Sequence, residues 1–521
     1  MSAPVTARVQ VADHPSGSPL KRAGPCAIVI LGAGGDLTAR KLMPALYHLQ
    51  RDGLLDEQLV VLGVARQRLD DKTFRDRMRE SVETSGEVGE VEEKHWRDFA
   101  AKLAYIEGDL SHDQVYARIR ERLETLEGER GLREWGRLFY LALPPSVYAP
   151  TLQHLADSGL APRTMEPATR PWARVIIEKP FGYSLESARE LNRTVNGVLH
   201  EHQVYRIDHY LGKETVQNLM VFRFANSIFE PVWNRQQVAH VQITAAESEG
   251  VGHRAGYYEG AGVVRDMFQN HLLQLLALTA MEPPVTFKAE AVRDEKVKVL
   301  RAIRPVDLSG RSVDAVLGQY GPGRADDEAA HGYREEDRVA DDSRTATYAA
   351  VRFLIDNWRW RGVPFYLRSG KRLPRRVTEI AIQFRDPPHL MFPLPQGETI
   401  APNVLAFRIQ PDEGISLCFQ VKTPGVDVAM TTVGMDFTYA RAFDGEAHSA
   451  YETLLLDCML GDATLFNRSD SVEAAWEVVD PVITWWDKHK GTDLPNYAAG
   501  SWGPAAADQL LARDGFRWRQ P

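Results

Sequence analysis

The chain has 521 residues, 44% of them hydrophobic and 26% charged, with a formal net charge of -9. That size predicts roughly two to four domains with sizeable cores, and the acidic balance weighs against a dedicated nucleic-acid binder while leaving local anion sites open. No apolar run approaches the ~20 residues of a membrane span, and Cys26, Cys418 and Cys458, with no CxxC pair among them, read as reduced thiols of a cytoplasmic protein.

Residues 1–24 lack the apolar core of a signal peptide and read as a mobile arm. The first element, CAIVIL (26–31), is continuously apolar, as a parallel strand covered on both faces should be. It runs into GAGGDL, where Gly32, Ala33, Gly34, Gly35, Asp36 and Leu37 make a turn that lets a pyrophosphate approach a helix start. Leu37 stands where the full fingerprint has a third glycine, so a plain strand-to-helix turn competes. A helix follows to about Gln50, and Pro44 inside it predicts a kink or a late start. The second strand, LVVLGVAR (59–66), ends in Arg66 instead of the acid that accepts ribose hydroxyls, which leans toward a 2′-phosphate; a surface arginine is the alternative. RLFYLALP (137–144) and ARVIIEKP (173–180) complete four apolar strands separated by polar helices, the pattern of a parallel sheet with crossover helices. Lys179 follows the last strand, at the edge where open α/β sheets bind ligands, and Lys179–Pro180 is a candidate cis peptide. A solvated lysine beside a strand-ending proline is the plainer reading.

YRIDHYLGKE (205–214) crowds an acid, an imidazole, a phenol and an ammonium together. On a helix His209 and Lys213 would share one side, and with Tyr210 they suit a phosphate; a solvated helix start competes. Beyond residue 206 near-alternating strands dominate: VAHVQITA (238–245), TYAAVRFLI (347–355), EIAIQF (379–384), NVLAFRIQ (403–410) and ISLCFQV (415–421). They predict an antiparallel sheet with one face solvated or helix-covered. Between them VVRDMFQNHLLQLLALTAM (263–281) predicts a buried helix. His271 at its border is a candidate general base, with Asp208 as its carboxylate partner; a satisfied core histidine is the alternative. The stretch 320–342 is rich in Gly, Asp and Glu and reads as a loop. SGKRLPRR (369–376) is either an anion site or a solvated basic loop. The predicted division is an arm (1–24), a Rossmann-like α/β domain (25–206) and a larger α+β domain (207–521).

Together the glycine-rich turn, EKPFG (178–182), RIDHYLGKE (206–214) and the NHLLQ segment (270–274) resemble the glucose-6-phosphate dehydrogenase family. FYLALPPSVY (139–148), VQNLMVFRFAN (216–226), WNR (233–235), DEKVKVL (294–300) and GVPFYLRSGK (362–371) extend the likeness from about residue 27 to 515. The resemblance implies oxidation of β-D-glucose 6-phosphate at C1, giving the lactone, as the first step of the oxidative pentose phosphate pathway. It implies that His271 is the base and that Asp208 orients it. Lys179, His209, Tyr210 and Lys213 would hold the phosphate and fix the sugar ring. Glu247, Asp266 and Lys371 would hold sugar hydroxyls, with Arg376 and Gln410 nearby. Gly32 to Leu37, Arg66, Tyr148 and Lys179 would line the coenzyme site. NADP is the expected coenzyme, NAD a second choice, and no metal is required.

Two departures qualify this likeness. The family's usual turn is GASGDL, so Gly34 lacks a hydroxyl that could bond a coenzyme phosphate, and dual coenzyme use stays open. Arg368 and Arg408 match a second, structural NADP site of mammalian members, but Val377, Ala381 and Ser416 replace its polar or basic groups, so no second coenzyme is expected. The resemblance further implies a homodimer or homotetramer assembled through the antiparallel sheet, and a cytoplasmic location. A non-catalytic sugar-phosphate or nucleotide-binding regulator and a dehydrogenase of free glucose are the rivals. The joint presence of His271, Asp208, Lys213 and Lys179 weighs against the first, and the set of phosphate ligands against the second.

Overall fold

The computed structural model describes residues 21–130, 136–167, 169–309, 313–325, 328–392, 399–426, 428–443, 448–489 and 493–521. Most of the expected arm, residues 1–20, lies outside the described residues. Its last part is not loose: Ala23 is buried and donates its N–H to the Leu54 carbonyl.

The first sheet contains β1 (Cys26–Leu31), β2 (Val60–Ala65), β3 (Leu103–Glu107), β4 (Gly136–Leu141), β5 (Ala173–Ile177) and β6 (Val204–Arg206). All run parallel, in the order β3-β2-β1-β4-β5-β6. Every residue of β1 is buried. Burying each Val, Ile or Leu there contributes ~1.5–3 kcal/mol, which makes the continuous apolar run the organising feature of the sheet. Two of the six strands, β3 and β6, escape the sequence reading. They are the two edges, short enough to need only a few apolar residues. The crossovers include α1 (Met43–Arg51), α2 (Asp71–Thr84), α3 (Glu93–Ala100), α4 (Asp113–Glu129), α5 (Tyr148–Asp157) and α6 (Leu185–Val198). A π-helical turn, Thr38–Leu42, precedes α1. Pro44 therefore sits in the first turn of α1, where its missing N–H costs nothing.

Beyond β6 comes α7 (Glu214–Phe224), then β7 (Val238–Ala246). The buried segment follows as α8 (Ala255–Val263), broken at Gly262, then a π-helical stretch, Val264–Leu272, and α9 (Leu273–Ala280). After α10 (Ala289–Ala302) the chain forms β8 (Ala315–Gly318). The expected loop at 320–342 is partly ordered: β9 (Tyr320–Gly321), β10 (Gly323–Ala325), β11 (Glu328–Ala330) and a 3-10 turn, Tyr333–Glu335. One of its acids is built into the fold, for Glu336 accepts from the Tyr320 hydroxyl. The remaining strands are β12 (Tyr348–Leu354), β13 (Pro364–Gly370), β14 (Val377–Phe384), β15 (Val404–Gln410), β16 (Gly414–Lys422) and β17 (Met430–Thr438). The helices α11 (Tyr439–Ala442), α12 (Ala450–Leu460) and α13 (Ser469–His489) follow.

The second sheet has the order β17-β16-β15-β14-β7-β13-β12-β8. It is antiparallel except at its centre, where β7 and β13 run parallel. This corrects the fully antiparallel expectation. β7 is almost entirely buried along its length, so its apparent alternation does not report a solvated face. No helix among the described residues is long and apolar enough to cross a membrane.

Candidate active site

The candidate coenzyme end is the turn after β1. In the strand order the chain reverses direction between β1 and β4, the crevice where open α/β sheets receive nucleotides. The N–H groups of Gly32 and Ala33 both bond the Val64 carbonyl, and Gly35 N–H bonds the Gly32 carbonyl. Gly32 has φ +96, and a Cβ there would come within 2.2 Å of the Ala142 carbonyl oxygen. Only glycine fits this approach. A Cβ at Gly34 would meet the Gln67 side chain at 3.0 Å, so Gln67 fills part of the room a family serine would use. Gly34, Gly35, Asp36 and Arg66 are exposed. This cradle fits a dinucleotide. Tyr148 does not line it in the expected way: it is fully buried, with its hydroxyl on the Glu178 carbonyl at 3.2 Å. It supports the end of β5 from behind.

Across the β5 edge, Lys179–Pro180 is cis, as the sequence suggested. The Lys179 ammonium donates to His271 Nε2 at 2.8 Å, to the Asp266 carbonyl at 3.1 Å and to Asp266 Oδ1 at 3.2 Å. Asp266 and His271 lie five residues apart. In an α-helix they would face different ways, but in the π-helical stretch residues five apart share a side, and both reach Lys179. His271 Nδ1 lies 2.5 Å from Asp208 Oδ1, and that oxygen also accepts the Tyr210 N–H at 3.0 Å. The network assigns the tautomer with the proton on Nδ1 and the lone pair on Nε2.

Both members of this pair are 1% exposed, so their electrostatics are those of an interior. Burial pushes the Asp208 carboxyl up, but His271, the hydrogen bond it donates and His209 outweigh burial and bring it down to about 2. Burial lowers His271 below the ordinary histidine value, against the pull of Asp208. Burial also lowers Lys179, but Asp266, Tyr257 and Asp208 reverse this and raise it. The site at neutral pH is therefore a neutral imidazole between a carboxylate and an ammonium. Asp208, His209 and His271 also form the one group among the described residues with three metal-type donors within 4.8 Å of each other. Here His271 Nδ1 is engaged by the Asp208 carboxylate and Nε2 by the Lys179 ammonium.

The segment 205–213 divides around this pair. No helix begins at Tyr205: the chain turns, and α7 starts after Lys213, which precedes its first residue. The i, i+4 argument for His209 and Lys213 therefore fails, although both still reach the site. Gly212 approaches α12 closely, with the Ala450 carbonyl 2.5 Å from where a Cβ would stand, and this contact shapes the turn. The Tyr210 ring stacks on His271 at 4.2 Å, and the His209 ring meets His271 edge-on at 4.6 Å. Burial pushes His209 well below the ordinary value, so it is neutral. The Lys213 ammonium lies 4.9 Å from the Tyr210 ring and donates to Gln410 Oε1. Burial draws it down to about 8, a cation in need of an anion. Arg376 is exposed and close enough to repel Lys213. Arg206 is buried in a structural ion pair with Glu201 at 2.7 Å.

On the other side Lys371 pairs with Glu247 at 2.9 Å and lies 5.2 Å from the Tyr258 ring. Asp266 is driven up by burial, but Lys179 and Lys371 hold it well below the usual carboxylate range. The structure thus gathers Lys179, Asp208, His209, Tyr210, Lys213, Glu247, Asp266, His271, Lys371 and Gln410 into one site, with Arg376 at its rim. Sequence reasoning missed Thr378, which meets Tyr210 and Gln410, and Tyr451, whose ring parallels His209 at 6.4 Å and whose hydroxyl donates to Glu178. No local motif marks either one.

The arginines of the supposed second coenzyme site are engaged elsewhere. The Arg368 guanidinium lies between Trp502 and Trp518 and bonds Thr244 and the Arg519 carbonyl. Arg408 pairs with Asp436 at 2.7 Å.

Comparison with known proteins agrees with this architecture. Residues 29–218 match the model of the glucose-6-phosphate dehydrogenase NAD binding domain, and residues 220–519 that of the C-terminal domain. Glucose-6-phosphate 1-dehydrogenase of Aggregatibacter actinomycetemcomitans is 49% identical over 497 residues, spanning 95% of this chain and 97% of the relative. That of Chlamydia pneumoniae is 46% identical over 497 residues, with 95% and 96% covered. A solved glucose-6-phosphate dehydrogenase in complex with its substrate glucose-6-phosphate superposes with a TM-score of 0.86 at 36% identity, over 97% of this chain and 100% of that one. The Mycobacterium avium structure gives 0.79 at 37% identity, over 95% and 99%.

Proposed function

The chain belongs to the glucose-6-phosphate dehydrogenase family and has its activity, oxidising D-glucose 6-phosphate at C1 to the lactone with NAD(P), and we propose that His271 is the base that takes the C1 hydroxyl proton. The arrangement of Asp208, His271 and Lys179 is the observation that carries this reading. The C1 hydroxyl takes the place of Lys179 on the Nε2 lone pair. As the proton moves, imidazolium forms against the Asp208 carboxylate, which stabilises it. The bound nicotinamide supplies the hydride acceptor.

Lys213, His209 and Tyr210 hold the 6-phosphate, helped by Gln410, with Arg376 adding charge at the rim. A dianionic phosphate restores the full charge that burial draws from Lys213. Glu247, Asp266 and Lys371 hold sugar hydroxyls, and Lys179 moves between substrate and coenzyme. Convergence of base, substrate and acceptor supplies up to ~7–11 kcal/mol through positioning alone. At the other end, the turn Gly32–Leu37 receives the pyrophosphate and Arg66 a 2′-phosphate, so NADP is favoured over NAD. No second coenzyme is expected, since Arg368 and Arg408 already have partners. The domain division lies near residue 206, the assembly is a dimer or dimer of dimers built on the second sheet, and the location is cytoplasmic.

Reduced-coenzyme absorbance with glucose 6-phosphate against glucose, in the wild type and His271→Asn, tests the reading. The phosphate ester is expected to be strongly preferred and the variant nearly inactive. Wild-type turnover in His271→Asn would end the mechanism, and equal turnover of glucose would end the assignment of the phosphate ligands. Kinetics of Arg66→Ser with each coenzyme test the NADP preference, which should fall while NAD use is kept.

A further inference from the structure

One buried hydroxyl beside Tyr210 and Gln410 has no part in the reaction as described. Thr378 is 1% exposed and lies near the start of β14, opposite Gln410, the last residue of β15. A β-bulge falls at this point. Gln410 pairs with Thr378 and Arg408 with Glu379, so two steps on β15 match one step on β14. In a regular strand Gln410 would share the face of Arg408. The extra residue, Ile409, turns it onto the face of Thr378 instead. Hydrogen-bond direction then follows from one fixed end. An ammonium only donates, so Lys213 on Gln410 Oε1 sets the orientation of the amide. Gln410 Nε2 therefore faces Thr378 Oγ1, at 3.0 Å, and donates to it. The threonine hydrogen has one acceptor among the described residues, Tyr210 Oη at 3.3 Å. Gln410 Nε2 is 3.5 Å from the same Tyr210 oxygen, beyond the ordinary range, and does not compete.

We propose that Thr378 is a positioning residue for the substrate phosphate, which accepts from Gln410, donates to Tyr210 and so leaves Lys213 and Tyr210 both as donors toward one anion. A phosphate dianion carries no hydrogen of its own, so each neutral or cationic neighbour must donate to it. Lys213 can do nothing else, but a phenol can donate or accept. The bond from Thr378 removes that choice, because it engages a lone pair of Tyr210 Oη and frees the phenolic hydrogen for the ligand. Burial pushes the Tyr210 hydroxyl up to about 12, and the bond with Thr378 opposes it. The bulge thus converts a sheet residue into the middle of a chain that runs Lys213, Gln410, Thr378, Tyr210.

The inference rests on the reading that Lys213 and Tyr210 hold the 6-phosphate. The test is steady-state kinetics with glucose 6-phosphate in the wild type, Thr378→Val, Thr378→Ser, Tyr210→Phe, Lys213→Met and the double variant Thr378→Val with Tyr210→Phe. Valine keeps the branched shape and deletes the hydroxyl. It should raise KM ~3- to 10-fold, the effect of one neutral hydrogen bond, with kcat kept within about twofold. Serine restores the hydroxyl and should return KM to within about twofold of the wild type. In the Tyr210→Phe background Thr378→Val should raise KM far less, because the oxygen it served is gone. Thermal melting accompanies each variant, and Thr378→Ala serves if the valine variant misfolds. A folded Thr378→Val with unchanged KM overturns the proposal. So does a serine variant as impaired as the valine one, a loss in kcat alone, or the same fold-change with and without the Tyr210 hydroxyl. Wild-type KM in both Lys213→Met and Tyr210→Phe would instead overturn the phosphate-ligand reading itself.

Discussion

Asp208→Asn isolates the contribution of one charge, because the side chains are nearly isosteric. The carboxylate has two partners on Oδ1, His271 Nδ1 at 2.5 Å and the Tyr210 N–H at 3.0 Å. An asparagine carbonyl accepts both, so geometry survives and the charge is lost. A carboxylate in contact with a cationic partner is worth about 1–3 pKa units, and each unit is ~1.4 kcal/mol. The imidazolium that forms as the proton leaves C1–OH loses that support, so kcat should fall ~10- to 1000-fold. The loss persists at alkaline pH, since it arises in the transition state. The acid limb of the profile moves the other way from a simple loss of base. Without the carboxylate His271 is harder to protonate, so its pKa falls and the limb shifts to lower pH. The amide also places an N–H where Oδ2 has no partner, an added stability cost of ~1–3 kcal/mol. Steady-state rates at saturating substrate from pH 5 to 9, with thermal melting, measure all three. An unchanged kcat, or an acid limb that moves to higher pH, would refute the reasoning.

Three further outcomes are expected. Lys213→Met should raise KM for glucose 6-phosphate by a factor set by one charged hydrogen bond, ~1.5–3 kcal/mol, with little change in kcat; a lowered kcat at constant KM contradicts the phosphate role. Gly32→Ala should weaken coenzyme binding and lower the melting temperature, since the new Cβ would meet the Ala142 carbonyl at 2.2 Å in a backbone that already disfavours side chains; titration of coenzyme fluorescence reads the first effect. His240, 1% exposed, is held by burial at about 4, below its ordinary 6.5. The unfolded chain takes up a proton there first, so stability should drop as pH falls from 6.5 toward 4, by up to ~3 kcal/mol. Urea midpoints at pH 7 and 5 should reveal a shallower dependence in His240→Leu, and an identical slope would remove His240 as the cause.

What the sequence made legible follows from physical range. β1 and its glycine turn announce themselves because a strand buried on both faces admits only apolar residues and the turn after it needs the positive φ of Gly32, although the carbonyl that Gly32 must clear, that of Ala142, comes from beyond β4. Lys179–Pro180 was legible because proline alone makes a cis bond inexpensive. β3 and β6 were hidden by brevity. The parallel pairing of β7 and β13 was hidden because partner and direction are set by the whole sheet, not by the strand. The pairing of Asp266 with His271 on Lys179 was hidden for a different reason: composition carries no mark of a shift from a 3.6-residue turn to a π turn. Thr378 and Tyr451 enter the site from far along the chain, and nothing near either residue records that meeting.

The central place of β7 has a bearing on how the molecule assembles in time. Its neighbours, β13 and β14, are made long after it, and the helical stretch that carries Asp266 and His271 occupies the intervening chain. The coenzyme half, by contrast, joins successive strands at every junction but one, β1 with β4, whereas β7 alone makes two distant closures. Distant closures are slow, so a refolding chain should acquire its affinity for nucleotide before it acquires a base in working order. The interval between those two recoveries would be a clock on the closing of the second sheet.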